Sequence, residues 1–463
     1  MAKNTIVALA TPLGRSGIGV IRLSGADSLP IVRKLTRDEN FSPEPRVASL
    51  KKICDLETGE VLDETVITFF KSPNSFTGED VVEISGHGSP VILRQIIDFC
   101  LRLDARMADA GEFSLRALSN GRLNLSQAEA IRDLIDAQSV AAARQSIRQL
   151  RGELSNQLQP LKNDLLDVIV VLESSLEFVE DDLPDVQAQN IKEKLVAINA
   201  KLEKMAATFS AGKLLREGLR VALIGRPNVG KSSLFNALLG HERAIVTAIA
   251  GTTRDQLHER FTIDDIPISL IDTAGLRETS DTVESIGVER SKRTMADADL
   301  VVVLLDGSEN LTAEDNEIFN ETKDLNRLIV VNKSDLNFSE TQNGNQLLSD
   351  IKSAIRNPQS AILKISAKTG KNLNELQKAI VAPFAARESN DAGFLISDAR
   401  HNDLLRRAVS EIETACRDID ERRSEEIILI GLHNALRFLG EITGETTTED
   451  VLTRIFSTFC IGK

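Results

Sequence analysis

Three domains are predicted for this chain: an α+β domain at the N-terminus, an all-α domain in two halves, and an α/β domain inserted between those halves. Three observations predict them. Residues 1 to about 120 are dense in glycine and β-branched residues. Residues 121–217 and 387–463 carry apolar residues at helical spacing. Between them, four runs are continuously apolar, as strands buried on both faces of a parallel sheet must be. At 463 residues the chain is also too long for one hydrophobic core.

In the N-terminal domain, 1–120, strands are expected at Thr5–Leu9, Val20–Leu23, Val66–Phe70 and Val81–Ile84. Their turns are expected to carry Gly14, Gly17, Gly19, Gly25, Gly78, Gly86 and Gly88. Ile92–Leu103 reads as a helix. The texture changes near Asn124, where Ser126-x-x-Glu129 reads as a capping box opening an Ala-rich helix. No glycine stands between Gly152 and Gly212, and Leu161, Leu165, Leu166, Ile169 and Leu172 keep helical spacing. Long helices with a break near Pro184 follow from that pattern.

The inserted domain, 218–386, has its apolar runs at Val221–Ile224, Ile268–Ile271, Leu300–Leu305 and Leu328–Val331. After Pro383 the helical texture resumes at Asp403–Asp418, Ser424–Leu439 and Thr447–Phe459, the last opened by a Thr447-x-x-Asp450 box. The chain thus leaves the helical domain near residue 215 and returns near 387. Insertion is tolerated where the termini of the inserted domain lie close together.

Composition narrows the class. Cys54, Cys100, Cys416 and Cys460 are scattered without metal-binding spacing, which points to a reducing compartment and no structural zinc. The N-terminus lacks the apolar core of a signal peptide and no apolar run approaches a membrane span, so a cytoplasmic protein with no membrane segment is expected. A net charge of −14 argues against a generic nucleic-acid coat. Any nucleic acid must be held by local basic patches or by a partner. Trp and Tyr are absent, so base-stacking platforms are not expected.

Four short strings carry the chemistry: GRPNVGKS (Gly225–Ser232), DTAG (Asp272–Gly275), NKSD (Asn332–Asp335) and SAK (Ser366–Lys368). The first follows an apolar run and precedes a helical pattern, Ser233–Leu239, which is the context a phosphate loop needs. Gly225 and Gly230 let backbone N–H groups turn onto phosphate at a helix N-terminus. Lys231 can reach the β- and γ-phosphates, and the Ser232 hydroxyl can bind Mg²⁺. Asn228, Val229 and Ser233 complete that loop. A lone loop of this kind fits an ATPase equally well. NKSD decides for guanine, because the Asp335 carboxylate accepts from N1–H and the 2-amino group, a donor pair adenine lacks. Asn332 and Lys333 stand beside it, and Ser366, Ala367 and Lys368 fit the loop that packs on the base. The strings together point to a Ras-like G domain, a phosphate-loop NTPase that hydrolyses GTP.

In the stretch Gly251–Asp255, a hydroxyl, most simply Thr253, can reach Mg²⁺ and the γ-phosphate as a first switch. Asp272 supports the Mg²⁺ shell, Thr273 and Ala274 follow, and the Gly275 N–H can sense the γ-phosphate. Leu276 stands where Ras-like proteins carry a water-orienting glutamine. Another water-positioner and another positive charge are therefore required. Asn228 can ligate a monovalent cation, and K⁺ there would take the place of an arginine finger. Glu284 can orient water, or it is a solvated carboxylate at a helix start. Arg254 and Arg277 are candidate fingers, or surface arginines.

Taken whole, the sequence resembles the MnmE (TrmE) family of tRNA-modification GTPases. The resemblance lies in Ala10–Gly25, Asn74–Gly88, Gly111–Ile131, the phosphate loop, TAIAGTTRD, DTAGLRE with Glu284 after it, and the C-terminal FCIGK (Phe459–Lys463). It covers all three domains. It implies an N-terminal domain that binds a reduced folate, 5,10-methylene- or 5-formyl-tetrahydrofolate, and makes the homodimer. Arg22, Glu83, Arg122 and Lys463 match the folate contacts, Arg122 where many relatives have lysine, a change of geometry at constant charge. It implies K⁺ activation, with Asn228, Thr247, Ile249 and Thr252 as ligands. Thr247, Ala248, Ile249, Ala250, Gly251, Thr252 and Thr253 thereby join the nucleotide site. Glu284 matches the water-orienting carboxylate. Cys460 matches a cysteine with a suspected role in modification, beside the alternative of a free thiol at a buried helix end.

The same resemblance implies an FAD-dependent partner, MnmG (GidA), in a heterotetramer or larger assembly. Together they would install an aminomethyl-type or carboxymethylaminomethyl group on C5 of the wobble uridine of certain tRNAs. The carbon would come from methylene-tetrahydrofolate and the amine from ammonium or glycine. The rival expectation is a GTP-controlled binding switch of the ribosome-assembly type, which needs neither Arg22, Glu83 nor the FCIGK tail. The stripe Arg144, Arg148, Arg151 on one helical face reads as a solvated face or as a contact for phosphate or an acidic partner.

Overall fold

The structure, a computed structural model, describes residues 4–177, 185–241, 258–272, 298–336, 351, 362–385, 393–445, 452, 455–459 and 462. They fall into two compact units, one within 1–135, 146–200 and 404–463, the other within 136–145 and 201–403.

The chain opens with β1 (Ile6–Leu9), β2 (Ser16–Ser24), α1 (Ser28–Thr36), β3 (Ala48–Cys54), β4 (Val61–Phe70), β5 (Val81–Gly88), α2 (Pro90–Arg102), β6 (Arg106–Met107) and α3 (Glu112–Ser119). The strands form one sheet in the order β3-β4-β5-β2-β1-β6. Ile21, Leu23, Ile67, Val82 and Ile84 meet Ile31, Leu35, Ile96 and Phe99 in one core, so α1 and α2 bury one face of it. All four expected strands form, but Gly17, Gly19, Gly86 and Gly88 are not turn residues; they lie inside β2 and β5. The reason is space. A Cβ at Gly19 would sit 2.4 Å from Leu93 Cδ1, and one at Gly86 2.6 Å from Asp63 Oδ2. Glycine inside a strand marks such close approaches. The turn residues are Gly14, Gly25 and Gly78, with φ of 137°, 135° and 80°.

Next come α4 (Leu125–Ile135), α5 (Val140–Leu150), α6 (Glu153–Glu177), α7 (Asp185–Ala207) and α8 (Phe209–Glu217). The capping box of α4 lies two residues before the expected one. Asn124 Oδ1 accepts from the Gln127 N–H at 2.9 Å, and Gln127 Oε1 accepts from the Asn124 N–H at 3.0 Å. Ser126 is already helical and its hydroxyl donates to Asn124 Oδ1 at 2.9 Å. Asparagine and glutamine serve the same reciprocal capping as Ser and Glu. The expected break at Pro184 lies outside the described residues.

The second sheet holds β7 (Leu219–Ile224), β8 (His258–Ile263), β9 (Ile266–Asp272), β10 (Leu300–Asp306), β11 (Arg327–Asn332) and β12 (Ile362–Lys364). Its helices are α9 (Lys231–His241), α10 (Ala313–Glu321) and α11 (Leu373–Ala385). Strand order is β12-β11-β10-β7-β9-β8, with β8 antiparallel to β9 and the other pairs parallel. Alternate residues serve two cores: Leu223, Val302 and Leu304 on one face, Ala222, Val301 and Val303 on the other. That two-sided burial is why the four runs read as continuously apolar.

Then come α12 (Ala399–Asp420) and α13 (Glu425–Thr443), α13 packing along α6 in the first unit, and residues 452, 455 and 456 beyond them are helical. The Thr447–Asp450 box lies outside the described residues. Within the second unit, α8 is tied to residues 396–398. The Ile396 N–H donates to Thr208 Oγ1 at 2.9 Å, and Arg216 Nη1 to Asp398 Oδ2 at 2.6 Å. Gly212 permits this, because a Cβ there would sit 2.2 Å from the Ile396 carbonyl oxygen. Among the described residues, no helix is long and apolar enough to cross a membrane.

Candidate nucleotide site and a second polar locus

β7 ends at Ile224 and α9 begins at Lys231, so residues 225–230 must reverse the chain in six positions. Asn228 at φ 64° and Gly230 at φ 100° make that turn. Asparagine is among the few residues that tolerate the left-handed region. A Cβ at Gly225 would meet the Leu304 carbonyl oxygen at 2.4 Å, and one at Gly230 would meet Asn332 Nδ2 at 2.3 Å. The ends of β10 and β11 therefore require both glycines. Lys231 Nζ donates to the carbonyls of Gly225 at 2.5 Å and Arg226 at 2.9 Å, lying back along its own loop. Ser232 and Ser233 occupy the first turn of α9, where orphan N–H groups favour an anion.

Asn332, at the end of β11, is buried and joins three segments. Its Nδ2 donates to the Val229 carbonyl at 2.9 Å and its Oδ1 accepts from the Ala367 N–H at 3.0 Å. Ser366 Oγ donates to Asp335 Oδ1 at 2.6 Å and accepts from the Thr369 N–H at 3.2 Å. That hydroxyl, helped by the backbone and the charge of Lys368, holds the Asp335 carboxyl below its usual range. Lys333 sits at φ 60° with Nζ 2.5 Å from Asp306 Oδ2. Burial raises the Asp306 carboxyl, but bonds from Lys333 and Ser308 outweigh it and lower it on balance. The three loops thus form one bonded floor with a fixed carboxylate at its edge.

Asp272 ends β9 opposite Leu223 of β7, which starts DTAG beside the phosphate-loop strand. Thr247, Ala248, Ile249, Ala250, Gly251, Thr252, Thr253, Arg254, Thr273, Ala274, Gly275, Arg277, Glu284, Cys460 and Lys463 lie outside the described residues.

The second locus is on the first sheet. Arg22 of β2 stands in register with Glu83 of β5. Its Nε and Nη2 donate to Glu83 Oε1 at 2.9 and 2.7 Å, and its Nη1 to the Gly462 carbonyl at 3.3 Å. The guanidinium lies 5.7 Å from the Phe76 ring centre and 5.8 Å from that of Phe113. Gly462, at φ 102°, packs where a Cβ would be 2.4 Å from the Leu9 carbonyl oxygen. The end of the chain is thereby seated on this sheet. Arg122 follows α3, its Cγ 3.2 Å from where a Gly78 Cβ would stand. No described contact brings it to the Arg22–Glu83 pair.

Sequence reasoning missed the part-buried network beside this locus. Glu79 Oε2 accepts from Ser24 Oγ at 2.8 Å and from Arg116 Nη1 at 2.9 Å, while Arg116 Nη2 reaches Glu112 at 2.9 Å. The available signal was the acidic pair Glu79–Asp80 directly after Gly78. Arg144, Arg148 and Arg151 are exposed.

Residues 125–460 match the sequence profile described as the MnmE helical domain, and residues 5–122 that described as GTP-binding protein TrmE N-terminus. A protein of Koribacter versatilis named tRNA modification GTPase MnmE is 41% identical over 463 residues, covering 99% of both chains. One of the same name from Aquifex aeolicus is 42% identical over 462 residues, covering 100% of both. A third, from Streptococcus pneumoniae, is 39% identical over 468 residues, covering 99% of both.

Proposed function

This chain belongs to the MnmE (TrmE) family of tRNA-modification GTPases, and from that premise we propose how its two polar loci divide the work. The chain is a GTP hydrolase acting in tRNA modification. In the finer reading it is K⁺-activated, forms a homodimer, and works with the FAD-dependent MnmG (GidA). The two add a carboxymethylaminomethyl or aminomethyl group to C5 of the wobble uridine, using a methylene-tetrahydrofolate carbon.

At the nucleotide site, the Asp335 carboxylate, fixed by Ser366, accepts the two guanine donors. Lys231 exchanges the Gly225 and Arg226 carbonyls for the β- and γ-phosphates. Ser232, with Thr253, would hold Mg²⁺, and Glu284 would orient the attacking water. Asn228 is exposed at the loop tip, and its amide oxygen is a hard donor suited to K⁺. With Thr247, Ile249 and Thr252, it would hold that ion, which supplies positive charge between the β- and γ-phosphates.

At the second locus the residues fit a reduced folate. Glu83 can accept from adjacent pterin N–H groups, while Arg22, bonded to Glu83 Oε1 through Nε and Nη2, holds that carboxylate in place. The folate, when bound, supplies the one-carbon unit. Arg122 and Lys463 would hold its carboxylate tail. The observation that carries this reading is the Arg22–Glu83 pair with the Gly462 carbonyl on it, a construction that a bare nucleotide switch does not need.

Two measurements test it. Calorimetry on Glu83→Ala should show loss of 5-formyl-tetrahydrofolate binding with GTP binding intact; loss of both means only that the variant is unfolded. Nucleosides of tRNA from a strain lacking the protein should lack the wobble modification. Unchanged nucleosides would leave a GTP-controlled binding switch as the better reading.

A further inference from the structure

Four residues beyond Glu83 on β5, about 13 Å at the usual strand rise, stands His87. Its side chain is 74% exposed, yet its Nδ1 lies 2.6 Å from Oδ1 of Asp63, whose side chain is 5% exposed. The other oxygen of the same carboxylate, Oδ2, accepts the His87 backbone N–H at 2.9 Å. Among the described residues, both oxygens of one buried carboxylate are thus given to one residue. A carboxylate accepts only, so Nδ1 carries a proton, and in the neutral ring the lone pair is on Nε2.

The neighbouring sequence is arranged around this pair. A Cβ at Gly86 would sit 2.6 Å from Asp63 Oδ2, and one at Gly88 would sit 2.1 Å from Ser16 Oγ. The G-H-G spelling therefore makes room for Asp63 on one side and for β2 on the other. As a stabilising device the pair is poor. A bond to an exposed imidazole returns little of the cost of burying a carboxylate. What the arrangement does accomplish is to hold one ring orientation and one tautomer, the task of a carboxylate behind a basic histidine.

We propose that Asp63 and His87 form a proton-transfer pair that deprotonates a small cationic amine, of the ammonium or primary-amine class, before that amine attacks carbon. This rests on the reading of the chain as part of a tRNA-modifying system. The exposed ring favours a small molecule arriving from solvent, and the negative charge of Asp63 favours a cation. In the step, one N–H bond of the ammonium breaks and an Nε2–H bond forms. The amine keeps the electron pair, the imidazolium is stabilised by Asp63, and the proton leaves to water from the exposed ring.

The test uses the full chain with its FAD-dependent partner, tRNA, methylene-tetrahydrofolate and GTP. His87→Gln should lower kcat/KM for ammonium by roughly 10²- to 10⁴-fold, the usual contribution of general acid–base catalysis. GTP hydrolysis should be unchanged. With hydroxylamine, already neutral at pH 7, the loss should be under about tenfold, a rescue that a merely structural residue would not show. Asp63→Asn should lower kcat at unchanged KM for tRNA. Wild-type turnover of His87→Gln with ammonium, or equal losses with both nucleophiles, would overturn the proposal. Independently of the reaction, His87 should react faster with diethylpyrocarbonate in the unmutated chain than in Asp63→Asn, and equal rates would also overturn it. An unmutated chain that keeps this contrast but modifies no tRNA would sink the functional reading and leave the pair standing.

Discussion

The side-chain amide of Asn332 donates to the carbonyl of Val229 at 2.9 Å, so the end of β11 is bonded directly to the phosphate loop. Its oxygen takes the Ala367 N–H at 3.0 Å. The residue that heads the guanine motif thus acts first as a staple between loops. Asn332→Ala would leave the buried Val229 carbonyl and the part-buried Ala367 N–H without these partners. The expected cost is about 1–3 kcal/mol of stability in the second unit, with weaker GTP binding. Thermal melting with and without GTP checks this; a melting curve unchanged in both conditions would refute the staple.

Guanine selectivity should depend on two side chains. Asp335→Asn turns the double acceptor into an amide, so GTP binding should weaken and xanthosine nucleotide binding strengthen. Ser366→Ala removes the 2.6 Å bond that fixes the carboxylate while leaving its chemistry intact. GTP affinity should then fall by about tenfold, the loss of roughly one charge-assisted hydrogen bond, without a gain for the xanthosine nucleotide. Titrating both variants with both nucleotides separates the roles. Unchanged GTP affinity in Asp335→Asn would sink the assignment of NKSD.

Hydrolysis should be faster in KCl than in NaCl at equal ionic strength. Leu276 leaves no glutamine after DTAG to orient water, and the charge developing on the phosphates still calls for a positive group beside them. Asn228→Ala should abolish the difference between the salts, a loss of roughly 10²-fold in KCl, as for removal of one charge-stabilising group. Glu284→Ala should slow turnover in KCl while leaving the preference for KCl over NaCl intact. Hydrolysis rates of the unmutated protein and both variants, measured in both salts, decide it. Equal rates in both salts for the unmutated protein would return catalysis to Arg254 or Arg277.

The parallel sheet was legible because burial on both faces forces unbroken apolar runs, and the phosphate loop because its string, set between an apolar run and a helical pattern, is a local signal. Gly17, Gly19, Gly86 and Gly88 misled for the complementary reason. What demands glycine there is a side chain or strand distant in sequence, such as Leu93 or Asp63, and local pattern cannot report it. The α4 cap was misplaced because Ser126 and Glu129 satisfy the same rule as Asn124 and Gln127; only the geometry separates them. Arg22 and Glu83 were named by resemblance alone, since no spacing rule pairs residues 61 apart, and the strand register supplies the physical cause.

Asp398 carries the last prediction. Burial raises its carboxyl, but the nearby His401 and the Arg216 guanidinium outweigh that and hold it well below the usual carboxylate range. The ion pair is largely buried, at 20% and 12% exposure, and it ties α8 to the segment that opens α12. A carboxylate whose folded pKa is depressed adds stability that is present in full above its unfolded value, near 4, and is lost as pH falls toward the folded value. Asp398→Asn keeps the shape but removes the charge from a buried pair. It should cost about 3 kcal/mol at neutral pH, the lower end expected for breaking such a pair. The gap between the two proteins should narrow steadily below about pH 4, because acid removes the same charge from the wild type. Denaturant unfolding of both proteins across that range measures the gap. A gap that stays constant down to pH 2 would mean that the ionised Asp398 does not stabilise this joint, and that other ties such as the Thr208–Ile396 bond and packing at Gly212 hold α8 there.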